Sequence, residues 1–451
     1  MLVATTCGRG PRVAHAMPAE CSSEFEAPLN PASSSNLEQH TFPNGLVLVA
    51  EKMPGVQSAA FTLLLPAGSA YEGADSLNLS GGAATMAAEW ISRGAGPRDS
   101  RELLTALDNL GVSHAESAQT LHTSLAVATL GRNLEPALEI IADMVLRPHL
   151  DDDEVEPIRA LCSQNLRSLE DDPGTKVIYE LRRRHFPDPW GRPSPGTAEG
   201  VAALTPADLR RFISQTYRPN GAILGIAGSI DWTRLLDHVG RLIDGWKTQP
   251  EPRVPERAGG PPRDHILRET QQIQIALASP AATVADPDYY RARAATAILG
   301  GYSSARLFTE VREKRGLCYS VYASYESQLD RAAMLCYAGT SADRAQQTLD
   351  VMLAEIVRLG RQGVALDELD TMRAGLKSSL IMSQESSMSR SGSLASDWYF
   401  LGRVRPISEI AAALDALTPE AVSNYAARLQ DTSNLTILTL GPTALEFPLV
   451  P

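Results

Sequence analysis

The chain has 451 residues, 43% of them hydrophobic and 21% charged, a globular composition with room for two or three domains and sizeable cores. Lysine and arginine number 41 against 53 aspartates and glutamates, and the resulting net charge of −12 disfavours a surface built to bind nucleic-acid phosphates. No run of 18 apolar residues occurs, which excludes a helical membrane span. The five cysteines form no CxxC pair, Cys162, Cys318 and Cys336 read as reduced, mostly buried thiols, and the first residues lack a continuous apolar signal segment. The cytoplasm is the expected compartment, with the periplasm left open.

Residues 1–36 carry Pro, Ser, Ala and Gly without periodicity and are expected to form a flexible leader. Asn44-Gly45 is a hairpin signal ahead of the strand GLVLVAEK, and VQSAAFTLLLP reads as a second strand. The Ala-rich stretch after Gly81-Gly82 predicts a helix, and SRELLTALDNLG a second, amphipathic one closed by Gly111. VSHAESAQTLHTSLAVATL alternates as two strands. NLEPALEIIADMVLRP and EVEPIRALCSQNLRSLEDDP are helical, the latter stopped at Pro173. Thr205-Pro206 caps a further helix, and the buried-looking strand GAILGIAG follows it.

Residues 247–265, rich in Pro and Gly, predict the linker between two domains spanning 37–246 and 266–451. Beyond it the order repeats: strand, helix, the segment SARLFTEVREKRG read as a helix, two strands and two long helices. TPEAVSNYAARLQ and NLTILTLGP then mirror the ending of the first half. The fold class that follows is α+β: two similar, duplicated domains, each a mainly antiparallel sheet with helices packed on one face. The halves are expected to face one another across a cavity.

Residue chemistry alone names no active site. Gly300-Gly301 with Ser303-Ser304 lacks the lysine and spacing of a phosphate loop. No HExxH or HxxEH occurs, and His114, Glu116 and His122 around a probable hairpin are the nearest approach to a ligand cluster. Cys318 has no histidine near it in sequence to activate it.

The stretch ILGGYSSARLFTEVREKRGLCYSVYASY, residues 298–325, resembles the second-domain signature of the pitrilysin/insulinase family of inverted-zincin metallopeptidases. TFPNGLVLV, DPWGRPSPGT, TPADLRRFISQTYRPNGAILGIAG and DPDYYRARAATAILGG match in the family's order. Active members hold zinc with the histidines of HxxEH and a later glutamate, and the motif's own glutamate activates water. Anchored on Gly82 and Arg93-Gly94, those positions here fall on Thr85, Ala88, Glu89 and Asn165. Sliding the helix by one residue puts Met86 and Trp90 in the histidine positions. The resemblance therefore implies a chain without a zinc site of its own.

The same resemblance implies that Arg312 and Tyr319 match the family's arginine and tyrosine, which hold substrate backbone and stabilise the oxyanion. Glu310, Glu313, Lys314 and Arg315 read as the solvated face of their helix. The expected function is that of the non-zinc subunit of a heterodimeric metallopeptidase, inactive alone. It would supply Arg312 and Tyr319 in trans to a homologous HxxEH subunit that holds zinc, for hydrolysis of peptides or unfolded proteins. A homodimer of the isolated chain is left open. The alternative is an inactive structural protein similar to the core subunits of a respiratory complex.

Overall fold

The structure, a computed structural model, describes residues 36–447, so nearly all of the leader expected over residues 1–36 lies outside the described residues. The first half opens with β1 (Leu37–Thr41) and β2 (Val47–Lys52), a hairpin whose turn places Gly45 at φ +88°. There follow β3 (Ser58–Leu65), α1 (Ala83–Trp90), a short ribbon of β4 (Gly94–Ala95) and β5 (Arg98–Asp99), and α2 (Ser100–Asn109). After β6 (Ser113–Ala118) and β7 (Thr123–Leu130) come α3 (Leu134–Leu146), α4 (Val155–Glu170), α5 (Pro173–His185), α6 (Ala198–Ala203) and α7 (Pro206–Thr216). Strand β8 (Ile223–Gly228) and α8 (Trp232–Leu242) close this half.

No helix or strand of the sheets lies between Leu242 and Arg263, where β9 (Arg263–Leu267) begins; the last residues of the expected linker already pair with a strand. The second half continues with β10 (Ile273–Ala281), α9 (Tyr289–Gly300), β11 (Cys318–Ser327) and β12 (Ala332–Thr340). Then come α10 (Ala345–Gln362), α11 (Leu366–Gln384), α12 (Ser387–Leu401), α13 (Ile407–Asp415), α14 (Pro419–Ala426) and β13 (Thr436–Gly441).

The two sheets repeat strand for strand. The first runs β1-β2-β8-β3-β7-β6 and the second β11-β12-β10-β13-β9. Read from β2 and from β9, each begins with one parallel pair, β2/β8 or β9/β13, and continues antiparallel to an edge strand, β6 or β11. The expected duplicated α+β fold is thus present, and β1 is the one strand the second sheet lacks.

Side-chain alternation explains why β3 and β10 are apolar along nearly their whole length. Phe61, Leu63 and Leu65 point into the core made with the half's own helices, as Ile273, Ile275 and Leu277 do in the second sheet. The opposite faces are buried as well, each by a helix from the other half. On the first sheet, Leu394 of α12 packs with Val49 and Ala227, and Ala395 with Leu64 and Ile223. On the second, Val177 and Leu181 of α5 pack with Ala276, Ala278, Leu438 and Leu440.

The two exchanged helices are the ones that sequence periodicity does not predict. Pro173, read as a stop, is instead the first residue of α5, and Asp172 caps it by accepting the Thr175 N–H at 3.2 Å. Helix α12 is serine-rich and carries no clear apolar stripe. Its small face lets its backbone approach the sheet closely. Ser391 Oγ lies 3.0 Å from Thr62 Oγ1, Ser387 Oγ 3.2 Å from Ser58 Oγ, and a Cβ on Gly225 would stand 2.4 Å from the Ser391 carbonyl oxygen. Arg390 adds an ion pair with Glu51. Gly225→Val should therefore force α12 off the sheet and cost about 1–3 kcal/mol. A chemical-denaturation midpoint equal to that of the wild type would show that the close approach is not required.

Candidate functional site

Gly82, held at φ +98°, immediately precedes helix α1, and a Cβ there would come within 2.6 Å of Val201 Cγ2. The fully buried Glu72 faces this N-terminus. Its carboxylate accepts the Gly82 N–H at 3.2 Å and the Ala84 N–H at 2.7 Å, an anion on the positive end of a helix. Burial pushes Glu72 up to about 7, against the lowering effect of the backbone donors and Arg192. Nothing in the sequence marks this residue beyond an acid next to an apolar strand.

One turn on, the Thr85 hydroxyl donates to the Ser194 carbonyl at 2.7 Å, Ala88 presents a buried methyl, and Glu89 is half-buried. Helix α4 buries Val155, Ile158, Cys162 and Leu166 and leaves Asn165 exposed. Cys162, rather than Asn165, senses Glu89: burial and then that carboxylate's charge push its thiol up to about 11. Burial also raises Glu116 on β6, with His114 opposing and Glu89 adding to the shift. The His114 ring nitrogen lies 3.9 Å from Glu116.

His122 does not complete a cluster with them. Its half-buried ring packs edge-on against Tyr399 of α12 at 5.5 Å, and loss of solvation lowers it to about 4, so it is neutral near pH 7. Among the described residues no group of three or more His, Cys, Asp or Glu side chains is placed to hold a metal ion. The four motif positions offer one carboxylate, one hydroxyl already bonded elsewhere, one exposed amide and a methyl. That donor set does not fit Zn²⁺, which takes three protein ligands, mostly imidazole or thiolate, beside its water.

Thr85, Glu116 and His122 line a cavity of about 810 Å³ between the two halves, closed from the other side by Arg182 on α5, Glu326 at the end of β11 and Tyr399. Arg182 and Glu326 form a two-pronged ion pair in that wall. Arg312 and Tyr319 are not among its lining residues. Tyr319 sits at the opposite end of β11 from Glu326, roughly 23 Å away at the rise of an extended strand. Within one chain the structure does not bring the two sets of sequence-predicted residues together.

Arg312 lies on a π-helical turn, Phe308–Glu313, and the Lys314 N–H reaches back five residues to the Thr309 carbonyl at 2.9 Å. The expected regular helix is therefore replaced by a wider turn. Tyr319 occupies a bulge: β11 pairs Cys318 with Thr340 and Ser320 with Gly339, leaving Tyr319 between them. Its side chain is consequently 80% exposed. The Arg312 guanidinium carbon stands 4.7 Å from the ring centres of both Phe308 and Tyr319. Among the described residues neither the Arg312 guanidinium nor the Tyr319 hydroxyl hydrogen-bonds to the rest of the chain.

Glu310 corrects the expectation of a solvated face. It is buried and bonded to Lys314 at 2.8 Å and Arg315 at 2.6 Å, and those two bonds hold its carboxyl down at about 2. Glu313, Lys314 and Arg315 are exposed as expected.

The geometry defines an α+β protein of two similar lobes, each a sheet packed with helices. Residues 47–188 match the family described as Insulinase (Peptidase family M16), and residues 203–376 match the Peptidase M16 inactive domain. At the level of its domains the chain belongs to the insulinase, or M16, peptidase family.

The chain is similar to an uncharacterized zinc protease of Mycobacterium tuberculosis, 28% identical over 410 residues that cover 89% of this chain and 93% of the relative. It is 26% identical over 400 residues to the uncharacterized zinc protease YmxG of Bacillus subtilis, covering 87% of this chain and 95% of that protein. The fold is shared with a crystal structure of a peptidase M16 inactive domain from Pseudomonas fluorescens, at TM-score 0.82 and 21% identity, covering 92% of this chain and all of that one (100%). It is also shared with a protease from Helicobacter pylori, at TM-score 0.81 and 19% identity, covering 90% and 99%.

Glu72 gives this region a pH signature. Its folded-state pKa is raised from 4.5 to about 7, so its contribution to stability is fully present below 4.5 and is lost as pH rises through about 7. Glu72→Gln cannot titrate and should abolish that fall. Unfolding free energies of the two proteins that keep a constant difference from below pH 4.5 to above pH 7 would refute it.

Proposed function

We propose that this chain is the zinc-free subunit of a two-subunit metallopeptidase and that Arg312 and Tyr319 complete the active site of a homologous partner. The observation that carries the reading is the placement of this pair. Their side-chain donors are unused among the described residues of their own chain, Arg312 on the π turn and Tyr319 on the β11 bulge, the latter roughly 23 Å along the strand from Glu326 at the cavity wall. Groups so displayed meet no metal-binding cluster among the described residues of their own chain. The relatives' description as zinc proteases supports peptide hydrolysis as the reaction.

In this reading the partner supplies an HxxEH motif, its zinc and the base that activates water. Arg312 grips a substrate carbonyl or carboxylate with its planar fork, and the Tyr319 O–H donates to the oxygen on which negative charge develops. The exposed edge of β11 leaves both free to meet a substrate held by another subunit.

Co-purification from the native cell should bring down an HxxEH protein of similar size. With the complex reconstituted from purified subunits, Tyr319→Phe should preserve assembly and lower kcat on an unfolded peptide by on the order of 10²-fold. Arg312→Lys should act mainly on kcat/KM, since it keeps the charge and loses the fork. A partner fully active alone, or variants that match the wild type, would replace this reading with a structural role.

The isolated chain should carry no stoichiometric zinc. Elemental analysis finding one tightly held ion per chain, lost on Glu89→Gln, would contradict the assignment of α1 as metal-free.

A further inference from the structure

We propose that Phe308 is a positioning residue for Arg312, holding the guanidinium in place without using any of its hydrogen-bond donors. The inference rests on the reading of Arg312 as a substrate-binding group and deepens it. The turn that carries both residues has two faces. Leu307 and Val311, four apart, are fully buried and pin it to the second core. Phe308 and Arg312, offset by one position and also four apart, therefore share the outer face. The second ring on Arg312 comes from Tyr319, across on the β11 bulge.

The contrast with the neighbouring cations is chemical. Arg315 and Lys314 spend donors on Glu310, and Arg306 spends three contacts on Glu368 and the Gly363 carbonyl. The Arg312 side chain makes no ion pair or hydrogen bond among the described residues, and its guanidinium rests against the two rings. A carboxylate in place of Phe308 would fix the side chain equally well but would occupy the fork. An aromatic face attracts the cation through the ring's quadrupole and leaves the N–H edge for a ligand. Phe308 has no hydroxyl or charge of its own, so its part is to hold Arg312 rather than to touch the substrate.

The test begins on the full chain alone, with the Arg312 side-chain N–H signals followed by NMR and assigned by their loss in Arg312→Lys. Phe308→Leu should shift and broaden those signals, and Phe308→Tyr, which restores a ring, should return them to near the wild-type position. In the reconstituted complex, Phe308→Leu should lower kcat/KM by roughly 2- to 5-fold, the scale of one exposed cation–π contact, and Phe308→Tyr should recover it. Unchanged Arg312 signals in Phe308→Leu would overturn the proposal, as would a shift that Phe308→Tyr fails to reverse. Because the signals need no partner, they decide the role of Phe308 even if Arg312→Lys leaves peptide cleavage intact and the proposed function falls.

Discussion

Everything else in this molecule depends on how closely α12 lies over the middle of the first sheet. Only a glycine at position 225 leaves room for the Ser391 carbonyl, and only small side chains at Ser387, Ser391 and Ala395 let the helix descend that far. The equivalent helix of the first half, α5, does the same to the second sheet with larger apolar residues, Val177 and Leu181. Each sheet is therefore closed on one face by its own half and on the other by its counterpart. Separating the halves would expose two apolar faces at once, which makes their relation a property of the cores rather than of the connecting segment.

That arrangement determines what the site residues can do. The exchange sets α5, α12 and the end of β11 around the cavity that the altered α1 faces, and it brings Tyr399 against His122 and Arg182 against Glu326. Glu72 still orders the start of α1 although the helix carries no imidazole. Toward the far end of the same edge strand, a π turn and a bulge depart from regular geometry. Such departures cost backbone hydrogen bonding or regular packing, and here they put Arg312 and Tyr319 on the outside with their donors free.

Much of this was legible beforehand. The Asn44-Gly45 turn, the Thr205-Pro206 cap, the strand pairs and the amphipathic helices were readable because each is a local signal of turn chemistry, capping or periodicity. Arg312 and Tyr319 were singled out by the resemblance of residues 298–325, not by any spacing that geometry alone would recommend. The burial of Glu310 was missed because a regular helix was expected where the chain forms a π turn, which changes the face each residue presents. The exposed position of Asn165, beside a buried Cys162, was beyond reach because it depends on which face α4 turns toward α1.

Local order and duplication were thus written in the amino-acid sequence: apolar periods of two and of nearly four, caps, turns and a Pro/Gly-rich break. The exchange of α5 and α12 was not. A helix that packs through serines and alanines against a glycine shows no apolar stripe, and its stability comes from a surface supplied more than 150 residues away. Contact across that distance also decided that the cavity holds Thr85 and Glu116 but not Arg312, because side-chain neighbourhoods are set by how the sheets stack and not by spacing along the chain.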